Sequence, residues 1–148
     1  MPVSLRGMAI YHAGPVVKRI SDKWEVIAAG PTTSSRMAFY VEDVVCKAGV
    51  KMIIGKGGMN DKALEVFKKC KCVYCSYTGG VAVLAAMSIR RVVDVKWLDL
   101  GIPEAMWILE VEDFGPLLVT MDCRGQSLYS DIEAKVRGNK AKVLSMFS

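Results

Sequence analysis

The side chains best suited to chemistry in this sequence stand in two short loops with glycine, each directly after an apolar segment. They are the hydroxyl and cationic side chains of Thr32, Thr33, Ser34, Arg36 and Lys56. An arginine can bind a carboxylate or phosphate through two parallel hydrogen bonds, and a lysine supplies a compact charge. Free backbone N–H groups at the start of a helix also attract anions. The sequence therefore predicts a site for a small anion.

Strands are predicted to position these loops. Apolar runs of strand length occur at residues 8–13, 24–29, 50–54, 72–75, 92–97, 106–111 and 117–121. Loops with glycine follow the second, third and fourth of these runs, and each loop leads into a helical pattern. In an open α/β sheet such loops gather at the carboxyl ends of the strands, where ligands bind. We therefore expect one three-layer α/β domain over residues 1–148, with a mixed sheet.

Helices are predicted after the same loops. They cover residues 34–48, a segment from Asn60 or Asp61 to about residue 69, and residues 81–89, and the basic tail of about residues 131–148 is expected to be a surface helix or a loose tail. The first helix has apolar positions three and four residues apart, a hydroxyl of Ser34 or Ser35 to cap it, and Gly49 to end it. The third is apolar all round, so we expect it to be largely buried.

Composition narrows the class of protein. Apolar residues make up 52% of the chain, which is enough for a sizeable core, and the net charge is +5. No apolar run approaches the roughly 18–20 residues that cross a bilayer, and the N-terminus lacks the pattern of a signal peptide. We therefore expect a cytoplasmic protein without a membrane partner, whose five cysteines are mostly reduced thiols.

The cysteines and the single histidine offer further chemistry. Cys70, Cys72 and Cys75 have a spacing that could hold a metal, but Cys72 and Cys75 would point to opposite faces of one strand. Buried thiols are the favoured interpretation, and no metal site is predicted in this chain. His12 follows a strand, where a hydrogen-bonded structural role is favoured over one lining the crevice. One histidine supports no Ser–His–Asp triad.

Two motifs carry a resemblance to a known family. The segments Ala-Gly-Pro-Thr-Thr-Ser-Ser-Arg-Met (29–37) and Met-Ile-Ile-Gly-Lys-Gly-Gly-Met (52–59), with the later Gly79-Gly80 loop, resemble the β subunit or C-terminal domain of the class I iron–sulfur hydro-lyases. These enzymes are fumarate hydratase and L(+)-tartrate dehydratase. The resemblance implies a swivelling β/β/α domain. It also implies an α partner subunit that carries a [4Fe–4S] cluster bound by three cysteines, so that this chain itself holds no metal.

The resemblance also implies roles for individual residues. Thr32 falls on the family's proposed catalytic base, and Arg36 and Lys56 fall on residues that grip the substrate's carboxylates. Thr33 and Ser34 belong to the same loop and are counted with the substrate-binding residues. The implied activity is the addition or removal of water on a C4 dicarboxylate, with fumarate or malate ahead of tartrate. The implied assembly is a hetero-oligomer, with a homodimer as the alternative for the isolated chain.

The sequence also departs from the family's pattern. The family usually has glycine at the position of Ser35 and aspartate at that of Ala38. Its β subunits begin with a further segment bearing an Arg-Asp…Ala-His motif, which is not among these 148 residues.

Two functions of other classes stay open beside the hydro-lyase. A stand-alone anion-binding or interaction module would need the loops but no catalysis. A nucleic-acid binder is suggested only by the net charge and the basic tail, and no aromatic platform for single strands accompanies that tail. No nucleic-acid partner is therefore expected.

Overall fold

Four strands form the central sheet of the computed structural model, which describes residues 1–147. The strands of the chain are β1 (Ala9–Tyr11), β2 (Val16–Ile20), β3 (Lys23–Ala28), β4 (Met52–Gly55), β5 (Val73–Ser76), β6 (Ile89–Lys96), β7 (Met106–Val111) and β8 (Leu118–Met121). The central sheet has the order β1-β4-β5-β8, with β1, β4 and β5 parallel and β8 antiparallel. The predicted mixed sheet is confirmed, and the parallel strands end at one edge.

Two layers cover the faces of this sheet. Successive residues of a strand point to opposite faces. Ile53 therefore packs in a cluster with Val45 of the helical layer and Phe67 of α1 (Asp61–Cys70), whereas Ile54 packs in a second cluster with Ala29 and Ala85. The second face is covered by the β2–β3 hairpin and by α2 (Ala82–Met87). The three layers are thus a β-hairpin layer, the central sheet and a helical layer, in agreement with the α/β prediction.

The predicted helix of residues 34–48 is present in an irregular form. It consists of a 3₁₀ segment, Ser34–Tyr40, followed by a π-helical segment, Asp43–Lys47. The prediction that a serine hydroxyl caps it is wrong, because no side chain caps the 3₁₀ segment and the Ser34 hydroxyl is bonded elsewhere. Gly49 does follow the helical stretch, with a φ of 83° that favours glycine.

The second helix forms as predicted. The side-chain oxygen of Asn60 accepts a hydrogen bond from the Ala63 amide over 3.0 Å and caps α1. Its last residue, Cys70, forms a disulfide with Cys46 of the π-helical segment. The expectation of a thiol is therefore wrong for these two cysteines, and the bond ties together the helices that follow the two candidate loops.

Other expectations change in detail. The third predicted helix is shorter, and Val83, Leu84 and Met87 on it are exposed, so the expected burial is wrong. Strand β2 has no counterpart among the predicted strands, since its exposed charges hide the pairing with β3.

The basic tail forms a helix. The long helix α3 (Leu128–Leu144) covers most of the predicted tail, whose residue 148 lies outside the described residues. Tyr129, the second residue of this helix, contacts the body of the protein, and the following described side chains are exposed. None of the helices in residues 1–147 combines the length and the apolar character needed to cross a membrane.

Candidate active site

The two predicted loops lie side by side and are joined through their backbones. The Lys56 amide donates to the Thr32 carbonyl, and the Ser34 amide donates to the Lys56 carbonyl, each over 3.2 Å. Thr33 and Lys56 thereby form an isolated parallel bridge. This short ladder extends β4 beyond its end and holds the loop of Thr32 and Thr33 against the loop of Lys56. The two loops were predicted to meet in this way at the ends of their strands.

The Thr32 side chain is held from the end of β1. Its amide donates to the carbonyl oxygen of His12 over 2.7 Å, and its hydroxyl Oγ1 donates to the same oxygen over 3.1 Å. The residue is half-buried. Because Oγ1 donates its proton to that carbonyl, its lone pairs can accept a hydrogen bond or a proton from another direction.

The Ser34 side chain points into the protein. It is fully buried, and its hydroxyl Oγ lies 2.9 Å from Nδ1 of His12. A Cβ at position 55 would stand only 1.9 Å from Ser34 Oγ, so the close approach of the two loops requires Gly55. The observed contacts give Ser34 a place in the scaffold of the site, and its direct contact with substrate stays a prediction.

The two cations of the site are exposed and without counter-ions. Lys56 extends beside the third glycine loop, since a Cβ on Gly79 would lie 3.6 Å from its Cδ and 3.9 Å from its Nζ. Arg36 lies in the 3₁₀ segment and is also exposed. Within residues 1–147, neither side chain forms a hydrogen bond or an ion pair. Both are therefore available to an anion without first breaking a contact in the chain.

A set of hydroxyl groups fixes the loop that follows Lys56. The carbonyl oxygen of Gly57 lies within hydrogen-bond distance of the hydroxyls of Tyr74 (2.8 Å), Ser76 (3.3 Å) and Tyr129 (2.5 Å). The hydroxyls of Ser76 and Tyr129 are also 2.5 Å apart, so one of these two donates to the other. These hydroxyls come from β5 and from the start of α3, so the lysine loop is anchored to the sheet and to the C-terminal helix together. A carbonyl held by more than one donor is fixed in place, which limits where the loop of Lys56 can move.

The sequence that builds this geometry matches a known family. The sequence model of the family described as fumarase C-terminus matches residues 1–132. The chain belongs to the fumarase C-terminus family. The match includes both loops, the ladder between them and the Gly79 loop, so the recognised resemblance is confirmed.

Curated relatives of this fumarase C-terminus chain carry two kinds of name. The L(+)-tartrate dehydratase subunit beta of Escherichia coli (strain K12) is 41% identical over 131 residues, covering 88% of this chain and 65% of that protein. A "Putative L(+)-tartrate dehydratase subunit beta" of Methanocaldococcus jannaschii is 44% identical over 92% of this chain and 70% of that protein. A "Putative fumarate hydratase class I" of Geobacillus stearothermophilus is 49% identical, over 89% of this chain and 26% of that protein. The chain thus spans 65% of the length of the tartrate dehydratase subunit from Escherichia coli.

The cysteines of this fumarase C-terminus chain do not fit an iron–sulfur site. Cys70 is bonded to Cys46, while Cys72 and Cys75 are buried in different clusters on opposite faces of the sheet. Burial raises the pKa of Cys72 to about 11 and also raises the pKa of Cys75, so both are protonated at neutral pH. A cluster needs thiolates that face one point. In the part of the chain that the structure describes, no group of three potential ligands converges.

The prediction from sequence missed how His12 connects the site of this fumarase C-terminus chain. The ring nitrogen, the carbonyl and the amide of His12 all make hydrogen bonds, to Ser34, Thr32 and Ile54 respectively. The available signal was its place between a predicted strand and the Gly14-Pro15 turn. That signal fits the structural role favoured for it, but it does not reveal the partners.

Proposed function

We propose that this chain is the β subunit of a two-chain hydro-lyase that adds or removes water on a C4 dicarboxylate. The observation that carries the proposal is the backbone ladder between residues 32–34 and Lys56, which sets the loop of the Thr32 hydroxyl beside the loop of an unpaired cation. The names of the relatives support hydro-lyase chemistry. The relatives are named both tartrate dehydratase and fumarate hydratase. We place fumarate or malate ahead of tartrate because it is the commoner substrate.

The two cations would bind the substrate's carboxylates. Removing a carboxylate from water costs several kcal/mol, and a helix terminus returns at most about 2 kcal/mol, so fixed positive charges are needed. Arg36 suits a planar grip through two hydrogen bonds, and Lys56 suits a single charged contact. As the proton leaves the carbon beside a carboxylate, negative charge builds on that carboxylate, and these cations stabilise it.

Thr32 would act at the reacting carbon. Its hydroxyl is oriented by the His12 carbonyl, which leaves a lone pair of Oγ1 facing away from the protein's own partner. A neutral hydroxyl is a weak base, and within residues 1–147 that carbonyl is the one hydrogen-bond partner of Oγ1. We therefore assign the activation of Thr32 to the local cations or to a residue of the α subunit.

The surface near the site supports a partner subunit. Phe39 is 92% exposed and Tyr40 is 60% exposed, both in the segment that carries Arg36. With Met37, which is 40% exposed, they form a run of exposed apolar side chains, and a contiguous apolar patch of this kind marks an interaction site. The proposal places the [4Fe–4S] cluster in that partner, since the described cysteines of this chain do not fit it.

Anaerobic reconstitution with a cluster-bearing α partner tests the proposal. Hydration would be followed by the ultraviolet absorbance of fumarate, and dehydration of tartrate would be followed in parallel. We expect the isolated chain to bind no iron and to be inactive. In the complex, Thr32→Val and Arg36→Ala should each lower the rate by about 100-fold or more. Lys62→Ala and Ser130→Ala remove an exposed charge and an exposed hydroxyl elsewhere and should leave the rate unchanged.

The result that would overturn the assignment is a nearly unchanged rate in both site variants of an active complex.

A second function, a stand-alone anion-binding module, is favoured by the unpaired state of Arg36 and Lys56 in the described chain. It predicts that the isolated chain binds a dicarboxylate in calorimetry and that no partner confers activity.

A further inference from the structure

Tyr129 joins the C-terminal helix to the loop of Lys56 through two contacts. Its hydroxyl lies 2.5 Å from the carbonyl oxygen of Gly57, the residue that follows Lys56. Its ring lies against Gly58, where an added Cβ would stand 2.9, 3.0 and 3.1 Å from three ring carbons. Side chains in folded proteins do not pack so closely, so the position of the ring requires a glycine at 58. One contact uses the hydroxyl and the other uses the ring, so each supports the anchoring independently.

The direction of the hydrogen bonds at Gly57 follows from the number of protons available. A carbonyl oxygen carries no proton, so Tyr129 donates in its contact with Gly57. The Ser76 hydroxyl lies 2.5 Å from the Tyr129 oxygen and must donate there, because the single proton of Tyr129 is already used. The Tyr74 hydroxyl donates to the Gly57 carbonyl over 2.8 Å. The two lone pairs of that carbonyl are therefore filled by two phenol groups.

The two phenols belong to different parts of the fold. Tyr74 is fully buried in β5, so the central sheet fixes the position of its hydroxyl. Tyr129 is half-buried at the start of α3, and it packs against the core cluster that contains Phe67. The segment after Lys56 is thus held from the sheet on one side and from α3 on the other.

We propose that Tyr129 is a positioning residue for Lys56, because it holds the Gly57-Gly58 segment and so fixes where the lysine leaves the loop. A lysine has a long flexible stem, and within residues 1–147 Lys56 makes no hydrogen bond or ion pair that would direct it. A fixed backbone beside Gly79 is what limits its reach. The effect on substrate binding rests on the proposed function, whereas the hold on the loop does not.

Carbon-13 NMR on the isolated chain tests the hydrogen bond. The carbonyl shift of Gly57 reports the donors on its oxygen, and we expect it to move upfield in Tyr129→Phe. Tyr11→Phe is the matched control, because the Tyr11 hydroxyl donates to a different carbonyl, that of Ala29, over 2.6 Å. It should move the Ala29 shift and leave the Gly57 shift in place. A Gly57 shift that is the same in Tyr129→Phe and wild type would overturn the proposal.

Nitrogen-15 relaxation on the isolated chain tests the hold on the loop. The amides of Lys56 and Gly58 should have order parameters near the value of about 0.85 that is typical of rigid backbone. In Tyr129→Ala, which removes both the hydroxyl and the ring, we expect them to fall toward about 0.6. Ser130→Ala, at the next position of α3, should leave them unchanged. Equally high values in Tyr129→Ala would contradict the positioning role.

A double-mutant experiment in the reconstituted complex separates positioning from a general loosening of the fold. We expect Tyr129→Ala to raise KM by about 10-fold and Tyr129→Phe to raise it less, because the lysine no longer lies where the carboxylate binds. In a Lys56→Met background Tyr129→Ala should raise KM no further. The same rise with and without Lys56 would overturn the positioning role. If the wild-type complex is inactive, the proposed function fails, and the two NMR experiments still decide whether Tyr129 holds the loop.

Discussion

The Ser34 hydroxyl oxygen lies 1.9 Å from the point that a Cβ on Gly55 would occupy. Two loops that are 21 positions apart in the sequence are thus in contact at a place where only glycine fits. The same hydroxyl is bonded to His12, so it cannot turn aside without losing a buried hydrogen bond. The glycine before Lys56 is therefore explained by packing inside the site rather than by a turn.

Gly55→Ala should destabilise the protein through this contact. Overpacking of a well-packed interior costs about 1–3 kcal/mol, and we expect a loss of that size in the free energy of unfolding measured with urea. In a Ser34→Ala background the nearest atom becomes the Cβ of residue 34, at 3.2 Å, so the same change should cost less. Gly80→Ala is the matched control, because a Cβ there meets nothing within 4 Å. Equal costs in the two backgrounds would refute the contact.

The fold was predictable where the pattern of the sequence is local. The glycine loops after apolar runs predicted three strands and the gathering of their ends, and Asn60 predicted the start of α1. Strand β2 was missed because its alternation is masked by exposed charged residues, Lys18 and Arg19, which pair along or beside the hairpin. The exposure of α2 was missed because an apolar segment has the same sequence pattern whether it packs in the protein's own core or is exposed for contact with another molecule.

The approach of the two candidate loops was predictable from the sequence, but the contacts between their residues were not. The contact between the two loops could be predicted, because Thr32 and Lys56 each stand in a loop that directly follows a strand. The burial of Ser34 was not predictable, since a serine in a loop serves equally well as a helix cap, a ligand or a scaffold group. The disulfide between Cys46 and Cys70 was also hidden, because it depends on how two helices pack and not on spacing.

Reduction of the disulfide should lower stability. Cys46 and Cys70 are separated by 24 positions. Closing a loop of that length lowers the conformational entropy of the unfolded chain, which stabilises the folded state by about 3 kcal/mol. We expect a loss of about that size in urea unfolding when a reductant is added. The variant Cys46→Ala/Cys70→Ala should not respond to the reductant, whereas Cys123→Ala, which removes a free thiol, should respond like the wild type. A wild-type urea unfolding curve that does not change when reductant is added would disprove the cross-link.

Stability should depend on pH through His12. Because burial lowers its pKa in the folded state, the unfolded chain binds more protons at and below the ordinary value of 6.5. The contribution of His12 to the free energy of unfolding is therefore complete above that value. It is lost progressively as the pH falls through 6.5 toward the lower folded pKa. Urea unfolding across this range should show a steeper loss for the wild type than for His12→Asn, and parallel curves would contradict the burial of a neutral ring.

The exposed side chain of Phe39 should act in assembly rather than in folding. It is 92% exposed and follows Arg36 by three positions, so a partner that completes the site would cover it. An aromatic anchor at the centre of an interface contributes about 2 kcal/mol or more, which is roughly 30-fold in affinity. We expect Phe39→Ser to weaken binding of the α partner by about that factor in an anaerobic titration, while the free energy of unfolding of the isolated chain stays the same.

The matched control for this variant is Met146→Ser. Met146 is 81% exposed and lies beyond residues 1–132, the part of the chain that the family match covers. If apolar exposure alone governed association, both variants would weaken it equally. If the surface beside Arg36 is the contact, only Phe39→Ser should do so, because burial at that place both excludes water from the two cations and strengthens their attraction for a carboxylate.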